Sequence, residues 1–435
     1  MSDLFTVNST ADGVSQLDVP APAETPVDFH TPFLERASDP DGEDSQHALG
    51  AFLTLRVVDQ FVKEDLNAVG LGYQIASAVG YLADLVPRTK EVECLEAVLL
   101  AAKVALRDQD VSALIEVMKP YAKELEGQLK LDESLDVLAT AIRIAKTSDD
   151  RTLIPLLLQR GRSLRIGGRL SQAREAYEVA RQLAVKYGDS HAELRSRIGQ
   201  GLVLQYLGNL PEAHRVLDEV RIDANRMGDR EAEAGATHDL AVTAGRRNDH
   251  SEAVTYAFNA FRLYEVDRQK KRALADLGTS LQALGHYGAA SDAFEIVLAG
   301  EIPLSMRIAT TLELMGLATL TGNRVMFERR RREVETYLED LPPSALVDYQ
   351  VKVGVGLSEF GNCDAGRKHL QRAISYAEEH NLNDYLFKAE LALEEIDETE
   401  RSSDTEFIPE QSAPEEFVPN VVSVARELET MRAMV

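Results

Sequence analysis

An all-helical solenoid is the fold this sequence predicts, and three observations predict it. First, a small residue, a turn residue and a further small residue recur together: Gly161, Gly168 and Ala173; Gly201, Gly208 and Ala213; Ala241, Asn248 and Ala253; Gly278, Gly285 and Ala290. The steps between these sets are 40, 40 and 37 residues, the period of a unit that must stack on its neighbours to bury its apolar face. Second, apolar positions from Leu157 to Leu164 and from Arg174 to Val185 fall three or four apart, so each unit reads as two amphipathic helices. Third, 435 residues give ample length for a long stack.

Each part of the unit has a physical reason. Gly168, Gly208, Asn248 and Gly285 lie between the two helices, where the chain leaves the first one in a left-handed conformation that glycine and asparagine adopt at low cost. The small residue inside the first helix and the alanine opening the second let two helix backbones approach. Tyr177, Leu217 and Phe294 fill the space one turn later. Gly188-Asp189 and Gly228-Asp229 end one unit and begin the next, a C-terminal glycine followed by an N-cap aspartate.

At these residues the chain resembles the tetratricopeptide repeat family, in the forty-residue form of kinesin light chain and of several bacterial regulators. It departs from the family pattern at Leu157 and Arg197, where an aromatic is usual, in having no tryptophan, and in lacking the proline that usually ends a unit. The resemblance implies a right-handed superhelix whose concave groove binds peptides or proteins, without catalysis.

Read from the start, residues 1–45 carry ten acidic side chains against one arginine, with five prolines, and are expected to be a disordered acidic arm. Val27 to Phe33 in that arm reads as a solubilising stretch. Residues 46–90 form an N-terminal helical segment. Within it Val69 to Val86 has one charge, Asp84, and reads as a buried helix of the first layer, because it is barely long enough to span a membrane and contains Gln74 and Ser77. The array occupies 91–392, with a kink or boundary at Pro120. A degenerate unit begins near Asp132, where Ser134, Leu138 and Ala141 anticipate Ala173, Tyr177 and Ala180 by 39 residues. Further irregular units around Gly322 and Gly361 bring the total to six or seven pairs.

Residues 393–420 are expected to be a disordered acidic linker, in which Glu-Phe-Ile-Pro at 406–409 returns as Glu-Phe-Val-Pro at 416–419. Phe407, Pro409, Phe417 and Pro419 would serve there as docking motifs, extended before proline. Residues 421–435 form a short amphipathic helix whose stripe is Val421, Val424, Leu428, Met431 and Val435. Fifteen residues are marginal alone, so this helix is expected to lie against something, the open end of the stack first.

Charge and chemistry bound the function. The formal net charge is −25, but Ile154 to Arg332 carries 26 basic against 22 acidic residues, and 23 of the basic ones are arginine. Overall acidity opposes binding to nucleic acid or to an anionic membrane. Two cysteines, Cys94 and Cys363, supply no disulfide framework, and the first residues lack a secretory signal, which fits a cytoplasmic protein. The nine histidines show no metal-ligand spacing, no phosphate-cradling loop follows a strand, and no nucleophile stands beside a base, so no metal, cofactor or enzymatic activity is expected.

In the family the first helix of each unit faces inward, and projecting its inner stripe gives the peptide-binding candidates Arg162, Arg165, Gln205, His238, Arg246 and Gln282, flanked by Arg195 and Arg272. Guanidinium groups there would hold the carboxylates of an acidic or C-terminal peptide; the alternative is that they neutralise neighbours such as Glu193 and Asp239. Arg329 to Arg332 reads as a solvated, salt-bridged helix with Arg329 paired to Glu333. The expected function is an adaptor or scaffold for a protein or peptide, with residues 394–420 folding back over the groove; the alternative is a signal-sensing regulator acting through a partner output protein. Oligomeric state is left open.

Overall fold

The structure is a computed structural model that describes residues 30–39, 44–62, 67–146, 150–338, 341–380, 382–402 and 419–434. Among the described residues there are helices and no strands. The chain divides into two compact units after Gly199, inside one helix. Unit 1 contains α1 (Thr31–Ala37), α2 (Ser45–Val58), α3 (Ala68–Ala83), α4 (Lys90–Asp108), α5 (Ser112–Gly127), α6 (Leu131–Ala145), α7 (Leu153–Ile166), α8 (Leu170–Tyr187) and the start of α9 (Ser190–Tyr206). Unit 2 contains the rest of α9, then α10 (Leu210–Met227), α11 (Arg230–Arg246), α12 (His250–Leu263), α13 (Asp267–Ala283), α14 (Tyr287–Leu298), α15 (Leu304–Leu320), α16 (Arg324–Glu335), α17 (Pro343–Glu359), α18 (Cys363–Glu379), α19 (Asn383–Ser402) and α20 (Pro419–Arg432).

From α5 to α18 the helices form seven pairs, and the same turn closes every pair. The residue after the first helix is left-handed at Leu129, Gly168, Gly208, Asn248, Gly285, Gly322 and Gly361, with φ between 60 and 82°. The next N–H in each case donates to the carbonyl five residues back, at 2.8–3.0 Å, from Lys130 to Leu125 through Asn362 to Leu357. That bond uses a carbonyl the helix end leaves without an internal partner. Six of the seven turns are built with glycine or asparagine, as the spacing predicts. Leu129 is the exception and is exposed.

In four of the pairs a glycine of the first helix faces a large side chain of the second. A Cβ on Gly161 would stand 2.8 Å from the Tyr177 ring, one on Gly201 2.9 Å from Leu217, one on Gly278 2.6 Å from Phe294 and one on Gly354 2.7 Å from Leu370. Gly161, Gly201 and Gly278 therefore occupy equivalent places. The first helices α9, α11, α13, α15 and α17 are all 17 residues long. The second helices vary: α10 has 18 residues, α12 has 14, α14 and α16 have 12, and α18 has 17.

Several details differ from the sequence reading. The acidic arm was expected to run to 45, but residues 30–38 are ordered: Phe33 is fully buried in the core of unit 1, and Arg36 donates to Glu91 at 2.7 Å. Glu91 also accepts from Lys130 and from the buried Tyr121 hydroxyl. Burial acts to raise the Glu91 pKa, but the bonds and charges of Arg36 and Lys130 outweigh it and hold the carboxyl below its ordinary range. Residues 1–29 lie outside the described residues. The helix through Pro120 is unbroken. The helix in Val69–Val86 ends at Ala83 and is buried on one face only, through Leu71, Ile75, Ala78 and Leu82; no helix among the described residues is long and apolar enough to cross a membrane. The acidic linker was expected to start at 393, but α19 continues to Ser402 because Ala389, Ala392 and Ile396 bury against α17 and α18. Arg330, not Arg329, pairs with Glu333, and Arg331 pairs with Glu328 and Glu335.

The C-terminal helix forms, but begins at Pro419, so Asn420 lies inside it. It does not cover the end of the array at α19. It packs on α14 and α12 instead.

Candidate functional site

The first helices of unit 2 repeat a 17-residue length and a helical period, so equivalent residues come into reach one repeat apart. Polar side chains on the facing stripe bond across from helix to helix. The Gln205 amide of α9 donates to the Asp239 carbonyl at 2.9 Å and to the Thr243 hydroxyl at 2.6 Å on α11. His238 of α11 bonds Asp276 of α13 at 2.7 Å, and its other ring nitrogen meets the Tyr264 hydroxyl at 3.2 Å. Lys352 of α17 donates to Glu313 of α15 at 3.2 Å. Unit 1 does the same, with Gln159 donating to the Lys119 carbonyl and Arg162 to Glu126 at 2.6 Å.

These bonds sort the predicted groove residues. Gln205 and His238 are buried within the stack and hold it together. In unit 1, Arg165 is buried beside Tyr177, whose hydroxyl burial holds above its ordinary pKa despite that guanidinium, and Arg162 is paired with the buried Glu126 carboxylate. Arg195 is exposed in unit 1.

In unit 2 two cations of the stripe are left for solvent. Arg246, the last residue of α11, is exposed, stacks over the exposed ring of Tyr206 at 5.6 Å and donates to the Gln205 carbonyl at 3.2 Å. Arg272, in the second turn of α13, is exposed as well. Neither forms an ion pair with a carboxylate among the described residues. Beside them on α13, the Gln282 side-chain oxygen is buried and accepts no hydrogen bond from the described residues. The face thus offers a guanidinium at each end, an aromatic ring and an amide, which suits carboxylates and extended chain.

No cluster of potential metal ligands occurs among the described residues. Burial, with Glu124 adding to it, pushes the Cys94 thiol above its ordinary pKa, the opposite of an activated thiolate. Phe407, Pro409 and Phe417 lie outside the described residues, and Pro419 is the first residue of α20. The repeated turn and the glycine packed on a large side chain of the second helix decide the architecture. The pairs are tetratricopeptide-like.

No family model matches the sequence, and no curated protein matches it. Solved helical-repeat structures do. The Rap conjugation gene regulator of the plasmid pLS20, in complex with the Phr* peptide, is 10% identical, covering 83% of this chain and 99% of its own, with a TM-score of 0.48. A Rap protein complexed with competence and sporulation factor is 11% identical, covering 81% and 97%, with a TM-score of 0.43. A tetratricopeptide repeat protein from Parabacteroides merdae is 13% identical, covering 63% and 98%, with a TM-score of 0.41. Likeness of this order assigns no ligand.

Proposed function

We propose that this protein is a non-enzymatic scaffold that holds an acidic peptide or protein segment on the first-helix face of unit 2. The observation that carries the reading is the pair of exposed guanidinium groups, Arg246 and Arg272, left without carboxylate partners among the described residues of a chain whose net charge is −25. Other arginines of unit 2 are paired along their own helices, as Arg215 is with Glu212 and Glu219 and Arg221 with Asp218. Tyr206 gives the segment a ring to lie on, and Gln282 gives it a buried acceptor for a backbone N–H.

The test is selection of peptides from a random display library on the full chain, followed by anisotropy titration. Selected peptides are expected to be rich in Asp and Glu, to weaken roughly tenfold or more with Arg246→Glu and with Arg272→Glu, and to weaken further with salt. Peptides that bind both variants as tightly as the wild type would overturn the reading.

A further inference from the structure

One helix departs from the order of the chain. Successive helices of unit 2 pack on their neighbours in sequence, whereas α20 lies on α14 and α12, more than a hundred residues earlier. It lies on the second-helix side, where α12 and α14 have shortened to 14 and 12 residues. Three of its side chains bury there, Val421, Val424 and Leu428, against a cluster that includes Phe258, Ile296 and Val297. The rest of that cluster runs from Ala241 of α11 through α12, α13 and α14 to α15.

The polar contacts of α20 are weak by geometry and exposure. Arg262 meets Glu427 at 3.5 Å and Arg432 meets Glu295 at 3.8 Å, between groups that mostly remain wet. The Glu295 carboxylate is also bonded by the buried Arg330. Asp292, Glu295 and Glu429 crowd the same contact: burial, with the last two carboxylates adding to it, keeps Asp292 above its ordinary pKa even with Arg432 present. A helix of 14 residues is marginal by itself. So α20 is held by three buried aliphatic side chains, the partly buried Met431 and its tether.

We propose that the outer face of α12 and α14 is an exchangeable docking site for an amphipathic helix, occupied in the resting chain by α20 and opened to a helix of matching chemistry from a second protein. The seat states that chemistry. It takes aliphatic residues at positions one, four and eight, as Val421, Val424 and Leu428 are placed; an acid at position seven, toward Arg262; and an arginine at position twelve, toward Asp292 and Glu295. This surface is separate from the first-helix face, and its test does not depend on the peptide site there.

The probe is a labelled peptide with the sequence of residues 419–435, titrated into the full-length wild type and into full-length Leu428→Asp, with circular dichroism confirming that the variant keeps its helices. A tethered helix acts at an effective concentration on the order of millimolar. The peptide is therefore expected to bind Leu428→Asp at least about tenfold more tightly than the wild type, and a peptide itself carrying Leu428→Asp is expected to bind neither. In the wild type, excess peptide is expected to speed hydrogen exchange of the chain's own amides at 421–428. Equal binding to both proteins, or no binding to a folded variant together with unchanged exchange in the wild type, overturns the proposal. A wild-type chain that dimerises as its concentration rises, and ceases to with Leu428→Asp, would make the occupant a second copy and overturn the heterologous partner.

Discussion

Gly278→Ala tests whether close packing of first on second helices sets the repeat. The new Cβ would come within 2.6 Å of the Phe294 ring, which is fully buried and has no open space to swing into. Overpacking of this kind costs roughly 1–3 kcal/mol. Alanine's helix propensity returns about 1 kcal/mol relative to glycine, so the net loss is roughly 0–2 kcal/mol and its size alone decides little. The coupling with Phe294 decides. Phe294→Leu removes the ring edge that the Cβ strikes, so the double variant is expected to be more stable than the sum of the single effects by about 1 kcal/mol or more, measured by urea unfolding in a double-mutant cycle. Gly245→Ala, also in a first helix but with nothing within 4 Å of its Cβ, is the control and is expected to stabilise by up to about 1 kcal/mol. Additive effects at 278 and 294, or a loss at 245 as large as that at 278, would refute the packing argument.

Other expectations follow from single residues. His30 is fully buried with Nδ1 at 2.5 Å from Asp136 and Nε2 at 3.1 Å from Asp59, itself paired with Arg143; a carboxylate at each nitrogen favours the protonated ring. Burial alone would lower its pKa, but the two aspartates outweigh that and hold it above 6.5. Its contribution is thus complete below the unfolded value and lost as pH rises through the higher folded one; the hydrogen-exchange protection factors at 31–37, taken relative to the intrinsic base-catalysed rate, are expected to fall from pH 6 to pH 9, and His30→Gln to abolish that fall. Leu129→Gly is expected to raise stability by about 1 kcal/mol, because glycine removes the left-handed strain of an exposed side chain; a lower urea midpoint would contradict this. Asn323→Ala deletes the cap that accepts from the Met326 N–H at 3.0 Å and is expected to cost about 1 kcal/mol, with Asn323→Ser restoring most of it.

The repeat was legible because its turns need residues that tolerate positive φ, and glycine and asparagine announce that need. Leu129 announces nothing: its backbone is held left-handed by the same turn bonds while its composition looks ordinary. The helix at 31–37 was hidden by acidic surroundings, since the partners that order it, Glu91 for Arg36 and Asp136 for His30, lie 55 and 106 residues away. Helical period places polar side chains on one stripe, but period alone does not say which of them faces solvent and which bonds the next helix. Gln205 and His238 each have a polar residue 38 positions on, Thr243 and Asp276, and Arg246 falls on Leu284, but the exposed Arg272 falls on Thr310, so this spacing does not separate the two kinds either. The seat of α20 left no trace in local pattern, because the side chains that receive it, among them Phe258, Ile296 and Val297, occupy ordinary apolar positions of α12 and α14.

The side-by-side first helices of unit 2 also fix a ruler. Packed neighbouring helices stand about 8–10 Å apart, and an extended chain advances about 3.3 Å per residue. A strand laid across α11, α13 and α15 would cross a new rung about every third residue, so its specificity would be written in triplets, whatever lengths the second helices take behind it.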